Sequence, residues 1–185
     1  MKSFFLLIAI FVFVTSTKQS LAQQRQIDSL KVLIAKSNND SLKIELYKTI
    51  CEVCVTKDNL KYGTEALKFI EDFEAKKPKN ISLKYLLTSK AFFSRVLRIY
   101  YGDKKDYSNE LSIIDKQIQL YEQLGDTSET ENCFVNKHQL YENMNNSEKG
   151  FDILLVRLKL YEKQNNLRFM AYYQKQIAAF YKNHN

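Results

Sequence analysis

The sequence repeats itself at an interval of 40 residues between Tyr101 and Glu162. A further step of the same length leads from Tyr141 to Tyr181. A fixed period of about 20–50 residues is typical of repeat proteins, in which each unit buries its apolar face only by stacking on its neighbours. The residues that match across the shift are mostly apolar or aromatic, and they pair Tyr101 with Tyr141, Ile113 with Ile153, Leu120 with Leu160, Tyr121 with Tyr161, and Glu122 with Glu162.

The composition indicates that the repeated element is a helix. Four glycines and one proline in 185 residues are too few for a sheet protein with many tight turns. Apolar residues recur at helical spacing from Ile27 onwards, and polar stretches such as 37–40 and 102–105 interrupt them. Gly125 stands where a left-handed cap would end a helix. We therefore predict an all-α fold of about eight helices, connected as hairpins by short polar turns.

The first 22 residues resemble a secretory signal peptide. Lys2 supplies a positive charge, residues 4–14 form an apolar run, and small residues precede Gln23, where cleavage is expected. An uncleaved membrane anchor is the alternative, although the apolar run is short compared with the about 20 residues of a membrane-spanning helix. We therefore predict an exported protein, periplasmic or secreted, with no stable membrane insertion after cleavage.

Residues 23–185 have the length of one domain and can bury a core. The formal net charge of the whole chain is +7, and its lysines are scattered. The one cluster, Lys76, Lys77 and Lys79, surrounds the single proline, as in a solvated loop. We therefore predict a single domain and no nucleic-acid partner.

Three segments resemble the second helix of a tetratricopeptide repeat, namely Asn59–Phe69, Asp106–Asp126 and Gly150–Glu162. The helices that precede them end in the aromatic residue typical of this family, here Tyr101, Tyr141 and Tyr181. The period of 40 residues exceeds the about 34 that is common in the family, which implies longer helices. Where two neighbouring helices of the family approach most closely, this chain has His138 opposite Gly150. We predict that the small glycine makes room for the large histidine side chain.

The resemblance implies a short right-handed superhelix in which the first helices of the hairpins line a concave groove. It also implies a scaffold that holds a protein or peptide partner without a cofactor and without catalysis. Two alternatives stay open from the residues themselves. One is a carrier of a small ligand or lipid in an apolar cavity, and the other is a sensor or accessory module of a signalling system.

Projecting the family's groove positions onto the chain places four amide side chains in one line, Asn132, Asn136, Gln139 and Asn143. An amide offers both a donor and an acceptor, so such a line could grip an extended peptide backbone. A solvated polar helix face is the alternative interpretation.

The predicted helix 81–101 is apolar on two faces. Its second stripe consists of Tyr85, Phe92, Val96 and Ile99. These residues either belong to the core or form an exposed apolar surface in the groove that binds a ligand. If the stripe is exposed, Arg95 beside it and Lys175 across the groove are predicted to meet carboxylates of the ligand. A shift of 40 residues aligns Phe92, Val96 and Ile99 with Asn132, Asn136 and Gln139, so one copy is apolar where the other carries amides.

The remaining reactive residues do not form a recognisable catalytic or metal-binding pattern. Cys51 and Cys54 have the spacing of a redox motif or zinc half-site, but no second pair completes a zinc shell. We predict that these two and Cys133 are small buried hydrophobic residues, with a local disulfide between the first two as the alternative. His138 and His184 are the only imidazoles. We therefore predict that the protein is not an enzyme and binds no metal.

Overall fold

A computed structural model describes residues 21–54, 56–77 and 81–184. The predicted signal peptide therefore lies outside the described residues except for its last two. Every regular element in the described part is a helix, which confirms the predicted all-α fold. The eight helices there are α1 (21–36), α2 (Asp40–Val53), α3 (Thr56–Ala75), α4 (Leu83–Asp103), α5 (Tyr107–Leu124), α6 (Thr127–Asn143), α7 (Ser147–Lys163) and α8 (Leu167–His184). None of them is both long and apolar enough to cross a membrane.

The helices form two compact units within the predicted domain, unit 1 up to Tyr100 and unit 2 from Tyr101. In unit 1, α2 packs on α3, and side chains of α1 to α4 share one core. Ile44, Ile70 and Phe93 are completely buried there. A Cβ atom at Gly63 would lie 2.9 Å from a methyl carbon of Leu97, so a larger residue here would require the Leu97 side chain to shift.

Unit 2 repeats one helix and one turn every 20 residues. Each turn contains a residue with a positive φ, and these residues are Lys105, Gly125, Asn145 and Asn165. The following backbone N–H donates to the carbonyl oxygen of a tyrosine five residues earlier, at 2.9–3.0 Å, and the acceptors are Tyr101, Tyr121, Tyr141 and Tyr161. Two such steps make the 40-residue sequence period.

The residue whose backbone N–H donates in each turn also caps the N-terminus of the next helix with its side chain. The side-chain oxygen of Asp106 accepts from the backbone N–H of Asn109 at 3.3 Å, and Asp126, Asn146 and Asn166 repeat this bond at 3.1–3.4 Å. Such a cap satisfies one of the N–H groups that a helix leaves unpaired at its start. The 20-residue step is therefore encoded locally in each turn.

Helices α5 to α8 pack consecutively, each on the next. Ile114, Cys133 and Leu140 form the core between α5 and α6, while Leu154 and Tyr173 belong to the core of α7 and α8. Gly150 lies against His138, as the predicted volume exchange requires. A Cβ atom at this glycine would be 3.1 Å from the His138 carbonyl oxygen.

The three cysteines are buried and none of them is in a disulfide, so the local disulfide is not formed. Cys54 caps the C-terminal end of α2, because the helix ends at Val53. Burial raises the pKa of Cys51 to about 12 and that of Cys54 to about 11, from the ordinary value of 9.0. Both thiols are therefore protonated at neutral pH.

We expect iodoacetamide to label Cys51 and Cys54 far more slowly in the native protein than in urea, because the thiolate is the reacting form. Mass spectrometry of samples labelled at about pH 8 measures this difference. The unfolded chain loses these protons at lower pH than the folded chain, so stability falls as pH rises from 9.0 towards about 12. Equal labelling rates in the two states would contradict the prediction.

Candidate functional site

The amide row of α6 consists of Asn132, Asn136, Gln139 and Asn143 and lies on the surface of unit 2. Asn136 is half-buried and the other three are exposed. Cys133 and Leu140, which lie about a quarter turn around the helix from the row, are buried. The helical spacing thus places the amides outward because the apolar face of α6 packs against α5.

One amide of the row is held by a contact from α8. The Tyr172 hydroxyl donates to Asn132 Oδ1 at 3.2 Å. Within the described residues, Asn136, Gln139 and Asn143 form no side-chain hydrogen bond, so their donors and acceptors are open to a ligand. Lys175 is exposed on α8, but it is Tyr172 that contacts the row.

A buried polar network, which we call the Glu131 network, is centred on the residue that precedes Asn132 at one end of the row. The Arg157 guanidinium donates to both carboxylate oxygens of Glu131, with 3.0 Å between Nε and Oε2. The Tyr173 hydroxyl donates to the same carboxylate. Glu131 is only 1% exposed and Tyr173 is completely buried. A buried carboxylate is costly unless it is paired and hydrogen-bonded, and here it has both kinds of partner.

Aromatic rings enclose the cationic side of this network. The Arg157 guanidinium lies 4.2 Å from the centre of the Phe134 ring and donates to the Tyr161 hydroxyl at 3.4 Å. Burial alone would lower the pKa of Arg157, but the hydrogen bond and charge of Glu131 raise it above its ordinary value. Burial and Glu131 together raise the pKa of Tyr161 to about 12 and that of Tyr173 still further. Arg157 therefore stays charged and both tyrosines stay neutral at physiological pH.

The Glu131 network joins α6, α7 and α8 at the level of the amide row. Glu131 precedes Asn132 in the sequence, and Tyr173 follows Tyr172, so the buried network and the surface contact join the same two helices, α6 and α8. Neither Glu131 nor Arg157 was predicted from the sequence as a functional residue. Two features of the sequence could have indicated them. Glu131 is a carboxylate three residues before Phe134 on the apolar side of α6, and Arg157 is four residues before Tyr161.

The residues of the second apolar stripe of α4 differ in how deeply they are buried. Val96 is 8% exposed and lies in the core of unit 1, whereas Ile99 is 46% exposed. Phe92 is half-buried against that core, with its ring edge-to-face on Phe93. Arg95 is exposed and lies over the Phe92 ring. Val96 is therefore not accessible to a ligand, because α3 approaches α4 at Gly63.

Tyr85 belongs to a separate site at the start of α4. Its hydroxyl donates to Glu45 at 2.7 Å and also contacts the Ser41 carbonyl oxygen at 3.2 Å. Lys48 donates to the same carboxylate at 2.8 Å. Burial and Glu45 raise the pKa of Tyr85 well above its ordinary value. Ser41, Glu45 and Tyr85 border an open groove of about 330 Å³, which is also lined by Leu42, Ile81 and Ser82.

No three His, Cys, Asp or Glu side chains within the described residues are grouped so that they could hold a metal ion. Comparison of the chain with protein-family models, curated proteins and solved structures finds no match. The function is therefore inferred from the geometry of the chain itself.

Proposed function

We propose that the protein is an exported, tetratricopeptide-like scaffold that binds an extended segment of a protein or peptide partner and catalyses no reaction. The observation that carries this proposal is the amide row of α6, with three exposed side chains on one line of a helix. The consecutive packing of α5 to α8 supports the scaffold, and the signal-like N-terminus supports export.

The dimensions of the amide row match an extended peptide. Positions 132 and 143 are separated by 11 residues of α-helix, which corresponds to about 16 Å at 1.5 Å per residue. A peptide in β conformation covers this distance with about five residues. Each amide can donate to a carbonyl oxygen and accept from an N–H of such a peptide. The row therefore binds the main chain of the peptide and accepts peptides with different side chains.

The row is also partly preorganised. Asn132 is held by Tyr172, and both are adjacent in sequence to residues of the Glu131 network. Side chains that are fixed before binding lose less conformational entropy when the ligand arrives. Binding is therefore expected to be strongest near Asn132 and weaker towards Asn143.

The carrier alternative is not supported by α4. It required Phe92, Val96 and Ile99 to line an enclosed cavity together. Val96 lies in the core and Ile99 faces solvent, so the three do not share one cavity.

We expect a variant with Asn136→Ala, Gln139→Ala and Asn143→Ala to lose peptide binding by at least about tenfold, since each lost hydrogen bond contributes about 0.5–1.5 kcal/mol. The probe is a phage-displayed library of random linear peptides selected on the wild-type protein. Affinities of the enriched peptides for wild type and variant are then compared by fluorescence anisotropy.

A matched control removes three other exposed amides of unit 2 by Gln119→Ala, Gln123→Ala and Gln164→Ala. This control should bind the peptides as the wild type does. The proposal is wrong if no peptide is enriched, if the row variant binds normally, or if the control loses as much affinity.

A further inference from the structure

Helix α8 carries an exposed seam of mostly small and apolar residues, which meets α7 at Tyr181, whose ring lies edge-to-face on Phe151. Leu167, Gln174 and Tyr181 lie at intervals of seven residues, and Ala171 and Ala178 lie between them on the same face. All five are exposed, and Leu167 and Tyr181 are exposed by 71% and 51%. We call this surface the outer seam of α8.

The 40-residue repeat shows what normally covers such a seam. Shifted back by one period, Ala171, Gln174 and Ala178 correspond to Glu131, Phe134 and His138 of α6. On α6 these three residues contact α7, through Arg157 and Gly150. The outer seam of α8 is therefore the repeat-equivalent of a face that is buried by a helix elsewhere in unit 2.

A row of positive charge runs beside the outer seam. Arg168, Lys175 and Lys182 also lie seven residues apart, and α8 contains no acidic residue. Lys175 and Lys182 have no ion pair within the described residues, and Arg168 lies over the Phe169 ring. A second copy of α8 on this face would place one basic row near another, which is unfavourable. The charge favours a partner of opposite sign.

We propose that the outer seam of α8 docks an amphipathic helix of a partner protein that carries acidic residues beside its apolar stripe. Ala171 and Ala178 allow the partner helix to approach closely, at an interaxial distance of about 8 Å. Leu167 and Tyr181 contact its apolar residues at the two ends of the seam. Arg168, Lys175 and Lys182 pair with acidic residues spaced by seven. This site is separate from the amide row and does not depend on it.

The test uses two hydrocarbon-stapled helical peptides of the length of α7, 17 residues. Both carry the same leucine stripe, and the flanking positions at intervals of seven hold glutamate in one and lysine in the other. The acidic peptide is expected to bind the full-length protein saturably and at least about tenfold more tightly than the basic peptide. The double variant Lys175→Glu/Lys182→Glu should reverse this preference. Fluorescence anisotropy measures both affinities, and circular dichroism checks that helix content is unchanged.

The matched control is Lys159→Glu/Lys163→Glu, which changes the same charge at exposed positions of α7. It should retain the preference for the acidic peptide. The proposal is overturned if the acidic peptide does not bind saturably, if both peptides bind equally, or if the Lys175→Glu/Lys182→Glu variant behaves as the wild type. It is also overturned if light scattering shows a dimer that Ala178→Glu dissociates, because a second copy would then occupy the seam.

Discussion

The Glu131→Ala variant is expected to lose about 3–5 kcal/mol of unfolding free energy, because it leaves Arg157 buried without its counter-charge. Two hydrogen bonds from Arg157 and one from Tyr173 end on this carboxylate, so its removal leaves donors on both α7 and α8 unpaired. The urea midpoint, followed by circular dichroism, measures the loss.

Two further variants test whether the loss of stability comes from the unpaired buried charge or only from the lost contacts. Asp115→Ala removes the partner of Lys137 in a solvent-accessible ion pair of 2.7 Å and should cost only about 0.2–1 kcal/mol. Replacing the pair together, by Glu131→Leu with Arg157→Met, should recover part of the loss because no unpaired charge is left. A cost for Glu131→Ala no greater than that for Asp115→Ala would contradict the buried network.

The Phe93→Ala variant is expected to destabilise the protein by about 3–5 kcal/mol, the usual range for removing a buried phenylalanine. Phe93 is completely buried in the core of unit 1, and its ring contacts Phe92 edge-to-face at a centroid distance of 5.2 Å. The core in which the cavity would be left is formed by side chains of α1 to α4. Thermal and urea unfolding measure the effect.

The control for this prediction lies on the same helix. Ile99→Ser changes an exposed residue and should alter stability by no more than about 0.5 kcal/mol. Phe92 is unsuitable as the control because it packs partly against the core. The assignment of the core would be wrong if Ile99→Ser proved as destabilising as Phe93→Ala.

The helices could be predicted from the sequence because the patterns that indicate a helix involve residues close together along the chain. The few glycines and the helical spacing of apolar residues predicted the all-α fold correctly. The 20-residue step was also present, as Asp106, Asp126, Asn146 and Asn166 five residues after a tyrosine, although only its 40-residue multiple was recognised. Each turn needs only bonds between residues a few positions apart, so a single segment contains the information.

The exposure of the candidate binding residues could be predicted only in part. Helical spacing separated the amide row of α6 from the buried Cys133 and Leu140, and in the structure the row is mostly exposed while these two residues are buried. The same reasoning grouped Val96 with Ile99, which the structure separates into core and surface. Periodicity shows which residues share a helix face, but the width of the covered part depends on how closely the neighbouring helix approaches.

By itself, therefore, the sequence determined the helices, their turns and the line of amides on α6. Only the tertiary structure decided that Glu131 is buried, since its partners Arg157 and Tyr173 lie 26 and 42 residues away. It also decided that the seam of α8 beside Lys175 is exposed. Caps and periodicity depend on neighbours along the chain, whereas the burial of a charge and the exposure of a seam depend on which helices pack together.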